Sequence, residues 1–161
     1  MIVFFHDRRT GIMSHLNLAH LNVSSDKTKL DVPAIHHFLS TQSTWAIGIP
    51  LAAVQRAIDN SLCFGGYIDG RQVAFARVVS DYATFAYLVD VYVLEEHRGK
   101  GYSKRLMDAV MAHPDLQGLR RFMLATSTAH GLYAQYGFTP PLRPASLMER
   151  YVPDLYQRKK T

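Results

Sequence analysis

The stretch Val91-Tyr92-Val93-Leu94-Glu95-Glu96-His97-Arg98-Gly99-Lys100-Gly101-Tyr102-Ser103 passes from an apolar run, through a glycine-bearing loop, into a new periodic segment. Upstream, residues 84–94 are rich in β-branched and aromatic side chains. Their apolar content on both faces predicts a strand inside a sheet. Downstream, Leu106, Ala109 and Val110 recur at helical spacing, so residues 102–112 read as an amphipathic helix stopped by His113-Pro114. A helix N-terminus carries unpaired N–H groups and the positive end of the helix dipole, and glycine lets a ligand come close to the backbone. Residues 98–103 therefore predict a cradle for a phosphate or pyrophosphate, with Lys100 and Lys104 adding charge. The competing reading is a tight strand-to-helix turn with no ligand. Neither the P-loop pattern nor GxGxxG is present.

Outward from this centre, residues 62–68 and 72–80 are apolar runs split by Asp69-Gly70, a strong hairpin signal because both turn positions want positive φ. Asp31 is placed to cap a helix with Pro33 in its first turn and Ile35, Phe38 and Leu39 on one face. A loop over 40–48 holds Trp45, and Pro50 opens a second helix to about residue 57 or 58. Residues 121–125 predict a strand, 129–136 a short helix stopped by Gly137, and Phe138 and residues 147–151 further extended pieces. The fold class expected is α+β, with a mostly antiparallel sheet. Residues 1–19 read as an extension, 20–156 as a single domain and 157–161 as a basic tail.

Composition bounds the function. The chain has 161 residues, 48% hydrophobic and 19% charged, with a formal net charge of +5. At roughly 100–200 residues per domain this is one globular unit, too apolar for disorder and without a run approaching the ~18 apolar residues of a membrane span. The opening Met1–Phe5 is too short for a signal-peptide core. The one cysteine, Cys63, fits a reducing compartment, so a cytoplasmic setting is expected. The positive charge is scattered, which argues against nucleic acid as a partner. The eight histidines lack metal-ligand spacing, so no metal is expected.

Val-x-Val followed by Arg98-Gly99-Lys100-Gly101-Tyr102-Ser103 resembles the pyrophosphate motif of the GNAT superfamily of acyl-CoA-dependent N-acyltransferases, Gln/Arg-x-x-Gly-x-Gly/Ala. Downstream, Ala129-His130-Gly131-Leu132-Tyr133-Ala134-Gln135-Tyr136-Gly137-Phe138 resembles the family's Ala-x-x-Leu-Tyr-x-x-x-Gly-Phe signature, in the family's order and spacing. The resemblance covers roughly residues 60–140. It implies a mixed, mostly antiparallel sheet of six or seven strands with about four helices, and acetyl-CoA as cosubstrate. It further implies that Arg98, Gly99, Lys100, Gly101, Tyr102 and Ser103 hold the pyrophosphate, with Lys104 nearby. The strand Val91-Tyr92-Val93 would present main-chain groups to the acyl and pantetheine parts, and Tyr133 would protonate the departing thiolate.

Three departures from the family pattern stand out. Ser103 replaces a small Gly or Ala. Thr126 stands where many members carry a cofactor-contacting Asn. Tyr87 occupies a position where some members carry a catalytic Glu, and a phenol with a pKa near 10 is a poor base at neutral pH. That leaves the base unassigned. Asp90, a carboxylate inside an apolar strand, is the tentative candidate, with an ion pair to an arginine as the alternative. Trp45, Tyr82 and Tyr87 are tentative acceptor contacts, with packing or turn roles as their alternatives. The resulting expectation is an N-acetyltransferase that moves an acetyl group to a primary amine by direct attack. The alternative is a CoA-binding sensor or interaction module on the same fold. A homodimer is left open.

Overall fold

Asp69 and Gly70 both adopt positive φ, 49° and 79°, and the chain turns back on itself there. β2 (Leu62–Ile68) consequently pairs antiparallel with β3 (Arg71–Ser80), beginning at Ile68 opposite Arg71. The structure, a computed structural model, describes residues 20–158; the expected extension over 1–19 lies outside these, as does most of the basic tail. β1 (Asn22–Ser24) adds antiparallel to β2, and β4 (Phe85–Val93) adds antiparallel to β3. β5 (Arg121–Leu124) pairs parallel with β4, giving the order β1-β2-β3-β4-β5.

Helices cover both faces. α1 (Val32–Thr41) starts where the Asp31 carboxylate accepts the Ala34 N–H at 3.0 Å, with Pro33 in the first turn as its spacing predicts. α2 (Leu51–Asp59) opens directly after Pro50. Ile35, Phe38, Leu39, Val54 and Ile58 from this pair bury Cys63, Phe75 and Tyr92 of the sheet. On the other face α3 (Tyr102–Ala112) sets Leu106, Met107 and Val110 against Ala74, Ala76, Val78, Ala86 and Leu88. A fourth helix, α4 (His130–Ala134), follows β5. No helix among the described residues is long and apolar enough to cross a membrane.

The sheet is smaller than expected: five strands among the described residues rather than six or seven. The missing strands are those expected at Phe138 and at 147–151. Pro140, Pro141 and Pro144 interrupt this part of the chain, and a proline has no N–H to give a ladder. Among the described residues, 147–151 pair with no strand, and every residue from 139 to 158 is exposed.

Candidate active site

β4 and β5 pair only from Phe85–Arg121 to Leu88–Leu124. Beyond that point β4 runs on through five more residues without β5 beside it. In the same stretch β4 bulges: three steps from Val89 to Tyr92 oppose two steps from Phe75 to Arg77. Asp90, at the bulge, has φ 54°. The Leu94 N–H donates to Val73 O at 2.9 Å, with Val93 opposite Ala74, so the N–H and C=O of Val93 point away from β3 into the gap. Strand alternation gives Val91 the same direction. Tyr92 lies between them, its ring buried on the opposite face and stacked on Phe38 at a centroid distance of 3.7 Å. Its own N–H and C=O turn toward Phe75 of β3, so Tyr92 offers neither ring nor backbone groups to the open edge, contrary to the expectation for it.

The loop after β4 is fastened to that edge. Arg98 Nε donates to Val93 O at 3.0 Å, and the Arg98 N–H donates to Glu95 O. Gly99 and Gly101 then take φ 74° and 77°, a conformation that strains any residue with a Cβ. A Cβ built on either would meet nothing within 4 Å, so this side of the loop is open. Arg105 makes the first intrahelical bond, to Gly101 O at 3.2 Å, which sets the helix N-terminus at the loop. Lys100 folds back to donate to Glu96 O, whereas Lys104 stands exposed on the first turn beside the partly buried Ser103. The ring of Tyr102 is buried in the α3 core.

α4 and the turn that follows it bring Tyr133 and Tyr136 to the same end. Thr126 Oγ1 accepts the Ala129 N–H at 3.0 Å, which shapes the turn into the helix and commits that hydroxyl to the backbone. Tyr133 is buried in the cluster that includes Leu88, Val93 and Tyr102, and burial raises its pKa. The Tyr136 hydroxyl lies 2.8 Å from the Asp108 carboxylate and 2.9 Å from Lys104 O. It ties α4 to α3, with one proton shared between two acceptors.

On the opposite face, Asp90 Oδ1 accepts the Trp45 indole N–H at 2.9 Å, and Oδ2 accepts Arg77 Nε at 2.8 Å. Arg77 donates its other arm to Ser61 Oγ at 2.9 Å. Both members of the ion pair are largely buried. Beside them lies a cavity of about 170 Å³, walled mainly by apolar side chains of α1 and α2, with Phe75 at its base and Tyr156 at its rim. Trp45 and Asp90 line this cavity, but Tyr82 and Tyr87 do not. Tyr82 is an exposed turn residue at φ 58°, and Tyr87 lies near the start of β4 opposite Val79. Asp81 is a turn former. Its carboxylate accepts the Thr84 hydroxyl and the N–H groups of Ala83, Thr84 and Phe85, bonds that hold its pKa well down.

Two residues of this face escape a reading of the sequence. Arg77 sits two places from Phe75 on the core side of β3, a charge among apolar residues just as Asp90 is, and that parallel is the signal that marks it. Tyr156 carries no such mark. Cys63 is buried and its pKa is pushed up to about 11 by desolvation, which makes it an inert thiol. Among the described residues no group of His, Cys, Asp or Glu is arranged to hold a metal.

Residues 32–138 match the sequence profile of the Acetyltransferase (GNAT) family. A Gibberella zeae protein, provisionally named an acetyltransferase, is 34% identical over 135 residues, 70% of this chain and 75% of its own length. A crystal structure of a GNAT protein from Xanthomonas campestris pv. campestris, also provisionally named an acetyltransferase, is 75% identical. It superposes with a TM-score of 0.85 over 86% of this chain and 98% of its own. A Clostridium acetobutylicum protein, provisionally named an acetyltransferase and solved with acetyl-CoA, shares the fold at 16% identity, with a TM-score of 0.62 over 82% of this chain and 96% of its own. The open strand edge, the left-handed glycine loop and the tyrosine-bearing α4 thus stand in a chain that belongs to the GNAT acetyltransferase family.

Proposed function

We propose that the chain is an acetyl-CoA-dependent N-acetyltransferase that passes the acetyl group directly to a primary amine, with residues 20–156 as the working domain. The observation that carries this reading is the gap between β4 and β5 standing over the loop of Gly99 and Gly101. A strand edge offering the N–H groups of Val91 and Val93 and the C=O of Val91, with the Val93 C=O held by Arg98, suits the amide-bearing pantetheine arm. The loop amides suit the pyrophosphate, because the side where a Cβ would project is open. Ser103 and Lys104 add a hydroxyl and a charge there.

Acetyl-CoA supplies a thioester whose acyl group is activated and whose thiolate can leave. The Val91 N–H is placed to polarise the acyl oxygen, a contact that strengthens as negative charge develops there. Tyr133, kept protonated by its burial, holds the proton for the sulfur. On the acceptor side, the cavity beside Trp45 suits an amine on a small apolar body, and the gap between β4 and β5 is where it would meet the thioester, with the advantage of proximity. Asp90 acts by fixing the bulge, since both its oxygens are already engaged. A cytoplasmic setting suits the free, buried Cys63.

The engaged Asp90 also favours a second reading, a CoA-binding module without turnover; the protonated Tyr133 speaks against it. Thiol release from acetyl-CoA, measured against a panel of primary amines, separates the two. Amine-dependent release is expected. Binding without release on every amine would support the module, and absence of acetyl-CoA binding would remove both.

A further inference from the structure

The cavity beside Trp45 is apolar except on one side. Side chains of α1 and α2 make most of its wall, with Phe75 at the base, and Arg77 and Asp90 complete it. Its volume of about 170 Å³ is close to the ~150 Å³ of an engineered apolar cavity that takes up benzene. Arg77 commits Nε to Asp90 Oδ2 at 2.8 Å and Nη1 to Ser61 Oγ at 2.9 Å. Its remaining nitrogen, Nη2, meets no acceptor among the described residues. In a planar guanidinium one Nη2–H runs parallel to the Nε–H, so this donor stands beside Asp90 Oδ2. That oxygen accepts one bond and keeps a second lone pair. A donor and an acceptor thus lie side by side at the polar end of an apolar cavity.

We infer that this cavity recognises a hydroxyl group on a benzene-sized apolar molecule, its oxygen accepting from Arg77 Nη2 and its proton going to Asp90 Oδ2, and that the acceptor amine carries such a hydroxyl on its body. The second half rests on the acetyl-transfer reading above; the first does not. A hydroxyl donates and accepts at a single neutral atom, which matches the two groups the ion pair leaves open. Charged groups fit badly. Arg77 and Asp90 neutralise each other, so a ligand carboxylate would bring an uncompensated charge into a mainly apolar space and face Asp90. An ammonium in the same place would face Arg77. A body with no polar group would cut Nη2 off from water without giving it an acceptor. The amine end has a short way to go. Asp90 lines the cavity, and Val91, one residue or about 3.8 Å further along the chain, faces the gap between β4 and β5.

The test uses the full chain, titrated in a calorimeter without acetyl-CoA. The probes are p-cresol, toluene and p-toluate, which share a ring and a methyl group and differ in carrying a hydroxyl, nothing or a carboxylate. p-Cresol should bind roughly 10-fold more tightly than toluene, as befits a hydrogen bond to a charged donor, and p-toluate should bind most weakly. Ala57→Leu fills the cavity from α2 with another good helix former. It should lose p-cresol binding and keep the thermal shift with acetyl-CoA. Arg77→Met should bring p-cresol down to the affinity of toluene; if the unpaired Asp90 prevents that variant from folding, the three probes on the wild type decide. Equal binding of p-cresol and toluene, tighter binding of p-toluate, or an Ala57→Leu variant that binds p-cresol like the wild type would each overturn the inference. Turnover is read separately: tyramine should exceed phenethylamine roughly 10-fold in kcat/KM, and no preference would overturn the extension to the acceptor. Thiol release from no amine, with p-cresol bound as expected, would remove the transfer reading and leave the hydroxyl site. Thiol release without a preference for p-cresol over toluene would do the reverse.

Discussion

Asp90 of β4 and Arg77 of β3 are joined Oδ2 to Nε at 2.8 Å, and the carboxylate that makes this bond belongs to a residue held at φ 54° in a strand bulge. The same carboxylate receives the Trp45 indole from the α1–α2 loop, and Arg77 reaches Ser61 at the entry to β2. Four separate pieces of chain thus converge on the bulge that directs Val91 into the cleft.

Asp90→Asn keeps an oxygen for Trp45 and tolerates the left-handed backbone, but leaves Arg77 buried without its counter-charge. Loss of one partner of such a pair is expected to destabilise by about 3 kcal/mol, read as a melting temperature lower by roughly 6–12 °C. Adding Arg77→Met should return part of that loss, so the double variant falls short of the sum of the singles. kcat/KM should drop by a similar factor across the pH range. A loss confined to low pH, with the melting temperature intact, would instead make Asp90 the proton acceptor.

Gly101→Val and Gly118→Val place a Cβ at φ 77° and 71° respectively, each with open space around it. Both should lose about 1–2 kcal/mol from backbone strain alone. Only Gly101→Val should also lose the rise in melting temperature on adding acetyl-CoA, since only it stands at the proposed cradle. Equal thermal shifts in the two variants would take the pyrophosphate away from this loop.

Tyr133→Phe preserves the ring that packs against Phe138 and removes the proton. Acetyl-CoA affinity should be near normal and kcat lower by roughly 10²-fold. Burial raises the Tyr133 pKa above the ordinary value of about 10, so its protonated form persists through neutral and mildly alkaline pH. The wild-type kcat should therefore show no alkaline fall from this group below about pH 10. A full-rate Tyr133→Phe enzyme would assign the proton elsewhere.

The Tyr136 hydroxyl has its pKa pushed up to about 12, first by burial and then by its bond to Asp108. A pKa raised on folding contributes stability that is complete below the unfolded value, about 10, and is lost as pH climbs through the folded one. Wild type should weaken between pH 10 and about 12 more steeply than Tyr136→Phe, as followed by urea midpoints. Parallel curves would mean the tie between α4 and α3 contributes nothing in solution.

Local chemistry made much of the fold legible. Asp69-Gly70 located the hairpin because few residues accept two positive φ values in succession. His113-Pro114 ended α3 at Ala112 because the residue before proline avoids helical geometry. The loop of Gly99 and Gly101 was marked by glycines that the backbone requires. A buried Asp90 suggested an arginine partner, but which partners it takes was not legible: they lie 13 and 45 residues away, and no local rule joins Trp45 to β4. Nor does anything in Leu88-Val89-Asp90-Val91 announce a bulge. The two strands expected near the C-terminus failed for a related reason. A strand exists only with a neighbour, and apolar content does not say whether the chain itself provides one.

The indole that donates to Asp90 is the sole tryptophan of the chain, and it is half exposed at the wall of the acceptor cavity. Its environment is a carboxylate on one side and solvent on the other, with the bulge of β4 directly behind. Excited selectively at the red edge of the protein absorption, the whole molecule emits from this one place. Its fluorescence is therefore a built-in gauge of events on the acceptor side, requiring no label and undisturbed by the nine tyrosines elsewhere.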